Sequence, residues 1–132
     1  MQEPNLLNSK ILVVEDEERN WYLLRDIIEM WNGTAIWAES GMQAIDLVKK
    51  DPEITMVLID LNLPFMSGTE ATKRIKSIRA DLPIVAQTAF AEPDMLNGCL
   101  KAGCSSYLLK PIDYNKLKIV FIRELNLAKV KS

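Results

Sequence analysis

Short apolar runs alternate along this chain with longer segments whose apolar residues recur at helical spacing, and that alternation leaves few folds open. The runs are Lys10–Val14, Thr34–Ala38, Met56–Ile59, Pro83–Gln87 and Ser106–Leu109. Lys10–Val14 and Met56–Ile59 lack polar alternation and hold β-branched residues, which marks strands buried on both faces. Such strands need a parallel sheet covered by helices on each side.

The intervening segments supply those helices. The first is expected from Glu17 to Trp31, with Trp21, Leu24, Ile28 and Trp31 inward and Leu23, Ile27 and Met30 widening the buried face. Asn32-Gly33 ends it. Ser40-Gly41-Met42-Gln43 and Ser67-Gly68-Thr69-Glu70 carry capping-box patterns, opening helices to about Lys50 and Arg79. The latter is expected to bury Ala71, Ile75 and Ile78. Pro93 and Gly103 suit the two ends of a helix with Met95, Cys99 and Ala102 inward. Asp113 caps a last helix burying Leu117, Val120, Phe121 and Leu125. Short connections and right-handed crossovers predict an α/β fold, a flavodoxin-like (βα)5 unit with helices on both faces. Its strand order, 2-1-3-4-5, is taken by analogy, since periodicity does not set it. Residues 1–9 read as a flexible lead-in, 10–126 as the domain and 127–132 as a tail.

The chain has 132 residues and no histidine. That absence excludes His-dependent nucleophile systems, His-ligated metal sites and any role as a phosphohistidine donor. A net charge of −2 argues against direct nucleic-acid binding, which needs a basic face. No apolar stretch is long enough for a bilayer span and the N-terminus is no secretion signal, so a cytoplasmic protein without membrane insertion is expected. Cys99 and Cys104 form neither a zinc set nor a disulfide framework and read as free structural thiols.

In a parallel sheet every strand ends on the same side, and ligands bind there. The first strand runs into Glu15 and Asp16, the third into Asp60, the fourth into Thr88 and the fifth into Lys110-Pro111. The second, ending Trp37-Ala38, offers nothing comparable, and packing accounts for Trp21, Trp31 and Trp37. Taken singly, Asp60 is a turn former and Glu17 and Glu18 are ordinary acids at a helix N-terminus. Together the strand ends place three carboxylates beside a lysine and a hydroxyl. Like charges so close suit a hard divalent cation such as Mg²⁺. A carboxylate nucleophile with such a cation and two donors describes a phosphoryl-transfer site.

This constellation resembles the receiver domain of two-component response regulators. Its motifs stand as Val14-Glu15-Asp16, Ile59-Asp60-Leu61-Asn62-Leu63-Pro64, Met66-Ser67-Gly68, Gln87-Thr88-Ala89 and Tyr107-Leu108-Leu109-Lys110-Pro111. The wording near each end is most similar to receivers attached to hybrid sensor histidine kinases. The resemblance implies that Asp60 accepts a phosphoryl group from the phosphohistidine of a histidine kinase or histidine phosphotransfer protein. It implies Mg²⁺ held by Asp16, Asp60 and the backbone carbonyl of Asn62, with Glu15 acting directly or through water. Lys110 contacts the phosphoryl group, across a cis bond to Pro111. Thr88 swings toward it and Tyr107 turns inward, biasing the surface of the fourth helix, fifth strand and fifth helix, where two copies of the chain could pair. Such a domain is no enzyme in the ordinary sense, since it catalyses only its own phosphorylation and dephosphorylation.

Two other readings compete. A phosphohydrolase with an aspartyl nucleophile typically needs a second Asp two positions on, where this chain has Asn62. A degenerate, binding-only receiver predicts loss of Asp16, Asp60 or Lys110, and all are present. Departures from the usual pattern are Glu15, where Asp is commoner, and the bulky Phe90 two residues past Thr88, expected to restrict water and alter the lifetime of an aspartyl phosphate.

Overall fold

The computed structural model describes residues 3–125, so residue 126 and the 127–132 tail lie outside the described residues. Five strands alternate with five helices: β1 (Lys10–Val14), α1 (Glu18–Met30), β2 (Thr34–Ala38), α2 (Gly41–Lys50), β3 (Met56–Asp60), α3 (Gly68–Ile78), β4 (Ile84–Thr88), α4 (Pro93–Ala102), β5 (Ser106–Leu109) and α5 (Tyr114–Glu124). All ladders are parallel and the strand order is β2-β1-β3-β4-β5. The flavodoxin-like arrangement read from the sequence is the one observed.

Pleating sorts each strand's side chains between two cores. Leu12, Val14, Val57, Ile59, Ile84 and Ala86 pack with α2, α3 and α4 on one side of the sheet. Ile11, Val13, Met56, Leu58, Val85 and Leu108 pack with α1 and α5 on the other. β3 and β4 are buried along their whole length, whereas the edge strands β2 and β5 are partly open.

Helix ends follow the local signals. Ser40 and Ser67 accept from the backbone N–H of Gln43 and Glu70, and Asp113 accepts from those of Asn115 and Lys116. Only half of each expected capping box forms. Gln43 bonds the N–H of Glu39 rather than that of Ser40, and Glu70 turns outward to Arg74. Among the described residues no helix is long and apolar enough to cross a membrane.

One expectation from the sequence is corrected. On α1 the inward residues are Trp21, Leu24 and Ile28, with Trp31 just beyond; Leu23 and Met30 are exposed, as is Ile78 on α3. A helix lying on a sheet buries one stripe, and these side chains fall beyond its margin.

Part of the lead-in, within its described residues 3–9, packs onto the domain. Pro4 and Leu6 are buried, and the Leu6 N–H donates to the Trp31 carbonyl at 2.6 Å. Gly33 permits this approach, since a Cβ there would lie 2.8 Å from that of Leu6. The Glu3 carboxylate accepts from the Tyr114 hydroxyl, from Lys118 Nζ at 2.9 Å and from Trp31 Nε1 at 2.6 Å, which together lower its pKa to about 2. The segment thereby ties the end of α1 to the start of α5.

Candidate functional site

The sheet topology brings the strand ends together. β1 and β3 are neighbours with Val14 opposite Ile59, so Glu15 and Asp16 emerge beside Asp60. One carboxylate oxygen from each of Glu15, Asp16 and Asp60 lies within 4.8 Å of the others. Glu15 and Asp60 are buried and Asp16 is exposed. From the end of β5, Lys110 Nζ reaches Asp60 Oδ2 at 2.8 Å and Glu15 Oε1 at 3.1 Å. The other Asp60 oxygen, Oδ1, accepts the Asn62 N–H at 2.9 Å.

Burial disfavours charge on Glu15 and raises its pKa; Lys110 opposes that shift and Asp60 adds to it. Burial alone would depress the Lys110 ammonium, but its bonds to Asp60 and Glu15 prevail and raise it. Three carboxylates therefore face one cation. This surplus of converging hard oxygen donors fits a divalent cation of the Mg²⁺ kind, which binds through few carboxylates and keeps several waters.

Glycine holds the loop after β3 in place. Gly68, the first residue of α3, donates to the Leu61 carbonyl at 3.0 Å. A Cβ at that position would collide with the Asp60 carbonyl and lie 2.7 Å from Leu61 Cα. The helix thus presses on the backbone that carries Asp60.

Thr88 is brought near the cluster but not into it. Its buried hydroxyl accepts the Phe90 N–H at 3.1 Å and lies 3.5 Å from Asn62 Oδ1, while its carbonyl accepts the Lys110 N–H at 2.8 Å. Tyr107 is 40% exposed and pairs with Ala86 in the β4–β5 register, so it shares with Thr88 the face opposite α5. The Lys110–Pro111 bond is cis. Phe90 turns its ring largely to solvent and brackets the Thr88 hydroxyl with its backbone.

Two features escaped the sequence reading. Trp37 stacks on Trp21 with ring centroids 5.4 Å apart and donates from Nε1 to the Glu15 carbonyl at 2.7 Å. It braces the first acidic turn, a role that depends on β2 lying beside β1. Phe65 follows Pro64 with φ +70° and is fully exposed. Nothing in the residue type forewarns of a left-handed backbone there.

Residues 11–121 match the response regulator receiver domain family, and this chain belongs to it. It is 32% identical over 114 residues to the sporulation initiation phosphotransferase F of Bacillus subtilis, covering 86% of this chain and 90% of that one. It is 36% identical over 109 residues to the polar-differentiation response regulator DivK of Brucella ovis, covering 80% of this chain and 87% of the other. Against the transcriptional regulatory protein ZraR of Klebsiella oxytoca, at 31% identity over 115 residues and 87% of this chain, the match spans only 26% of the relative's length. Among solved structures, the receiver domain of the Pseudomonas aeruginosa sensor histidine kinase PA1611, with magnesium coordinated in its active-site cleft, superposes with a TM-score of 0.82 at 28% identity, covering 89% of this chain and 98% of that one. The receiver domain of Saccharomyces cerevisiae Ssk1, crystallised with the histidine phosphotransfer protein Ypd1, gives a TM-score of 0.80 at 25% identity, covering 92% and 90%. The chain is thus a receiver domain of two-component signalling.

Proposed function

We propose that Asp60 is the phosphoacceptor of this receiver domain, acting in the cytoplasm and charged by the phosphohistidine of a histidine kinase or histidine phosphotransfer protein. The observation that carries this reading is the setting of Asp60. It is a buried carboxylate at the tip of a wholly buried strand, with Lys110 on one oxygen and the Asn62 N–H on the other, beside Glu15 and Asp16. In the transfer, a carboxylate oxygen of Asp60 attacks phosphorus, the donor's P–N bond breaks, and the imidazole leaves with the electron pair and takes up a proton.

Each neighbour has work in that step. Lys110 gives up part of its hold on Asp60 to meet the phosphoryl oxygens, and the Asn62 N–H keeps the carboxyl oriented. Glu15, Asp16, Asp60 and the Asn62 carbonyl would hold Mg²⁺, which when bound neutralises charge on the transferring group. The Thr88 hydroxyl, held by weak contacts at 3.4–3.5 Å on its donor side, is free to turn toward the phosphoryl group. Tyr107, half-open on the same face, then moves inward, which biases α4, β5 and α5 as a contact surface for a second copy or another partner. Asn62 carries an amide and cannot serve as the general acid of an external phosphohydrolase.

Intact mass after incubation with Mg²⁺ and acetyl phosphate tests the reading, with Asp60→Asn and a chelated sample in parallel. The expected result is a gain of one phosphoryl group in the parent alone. No gain in folded protein, or a gain that survives Asp60→Asn, overturns it.

A further inference from the structure

We propose that Gln87 is a positioning residue of this site, its side-chain amide being an unpartnered donor that phosphorylated Asp60 satisfies and resting Asp60 does not. The inference rests on Asp60 being the phosphoacceptor. Gln87 is 1% exposed, and its Nε2 is buried without a hydrogen-bond partner. Buried polar atoms are nearly always paired, and an apolar side chain of similar volume would fill the same place with no unmet donor. Packing therefore gives no reason for glutamine here.

The register supplies one. Asp60 and Gln87 are direct partners across the β3–β4 ladder, and Gln87 pairs with Leu108 on its other side. Registered neighbours leave a sheet on the same face. That face is the one packed by α1 and α5, where Leu58, Val85 and Leu108 lie. Lys110 leaves β5 and reaches Asp60 on β3 and Glu15 after β1, so its side chain crosses the end of β4, where Gln87 is the last residue but one.

At rest both Asp60 oxygens are engaged, one by the Asn62 N–H and one by Lys110. Once Asp60 carries a phosphoryl group, the charge-dense phosphoryl oxygens are the better partners for the ammonium. The position beside the Asp60 oxygen that Lys110 held across the end of β4 is then open, and Gln87 lies alongside with its donor already desolvated. A hydrogen bond absent from one state and present in the other shifts the balance toward the second. Gln87 thereby favours the phosphorylated form.

Ser106 Oγ, the other buried side-chain atom without a partner among the described residues, lies on the same face, opposite Val85. Neither it nor Gln87 Nε2 has a partner, so the two are not paired with each other in the resting site.

The experiment compares the parent with Gln87→Met and Gln87→Leu, both apolar and of similar size. Melting temperature is measured alone, and affinity is measured for Mg²⁺ and for beryllofluoride with saturating Mg²⁺, a non-hydrolysing mimic of the phosphoryl group. The expected result is that both variants melt at or above the parent's temperature, bind Mg²⁺ like the parent, and bind beryllofluoride about five- to tenfold more weakly. Equal beryllofluoride affinity in all three overturns the proposal, as does a matching loss for Mg²⁺ alone or failure of both variants to fold, each of which makes Gln87 structural. A parent that binds Mg²⁺ but no beryllofluoride overturns the phosphoacceptor reading and this inference with it.

Discussion

Lys110 Nζ lies 2.8 Å from Asp60 Oδ2, an ion pair made across the end of β4 by residues fifty positions apart. The same ammonium holds Glu15, so one cation restrains two buried carboxylates. Lys110→Ala leaves those charges facing each other and, on the proposed function, removes a donor aimed at the transferring group. Loss of one such donor costs about 10²–10³ in rate. Labelling by acetyl phosphate, followed by intact mass, is expected to slow by about that factor, and unchanged labelling would remove Lys110 from the site.

Glu15 makes metal-free stability depend on pH in a defined direction. Its folded pKa stands above the ordinary 4.5, so the folded state holds the proton more tightly than the unfolded chain. This contribution is full below pH 4.5 and is lost as pH rises through the folded pKa. With chelator present, melting temperature is expected to fall across that window, and Glu15→Gln is expected to flatten the fall. Saturating Mg²⁺ should reverse the trend, because cation binding favours the deprotonated carboxylate. A parent and a Glu15→Gln variant with identical pH profiles would contradict the assignment.

Phe65 is a stability reserve. A bulky residue at φ +70° is strained by about 1 kcal/mol, and full exposure gives its ring no burial in return. Asn tolerates this conformation far better. Phe65→Asn is expected to stabilise the domain by about 1 kcal/mol, or about 3–5 °C in melting temperature. A lowered melting temperature would mean the ring makes a contact that matters.

Phe90 stands at the rim of the site with its backbone around Thr88. If the ring limits the approach of water, Phe90→Glu shortens the life of the aspartyl phosphate by several-fold without changing how fast it forms. The decay of phosphorylated mass after donor removal measures this; equal decay in parent and variant would discard the idea.

Much of this architecture could be read from residue order alone. Unbroken apolar runs such as Met56–Ile59 admit only a doubly covered sheet, and Ser67 or Asp113 mark helix starts through bonds made within three residues. The candidate site was legible for the same reason: in a parallel sheet, Asp16, Asp60, Thr88 and Lys110 each end or follow a strand and must lie on one side. The pattern also indicated which helical residues face inward, and it erred only at the stripe margins, at Leu23, Met30 and Ile78.

What local pattern could not decide is who stands beside whom. That Trp37 braces Glu15 follows from β2 lying against β1, and that Gln87 lies beside Asp60 follows from the β3–β4 register. The burial of Leu6 requires the pocket between the end of α1 and Gly33, made by residues more than twenty positions away. Sequence determines elements through short-range sterics and hydrogen bonding, and so determined the five βα units and the acids and lysine at their ends. Only the tertiary structure decided the pairings, because contacts between distant segments arise when the whole core closes and each strand takes its single register.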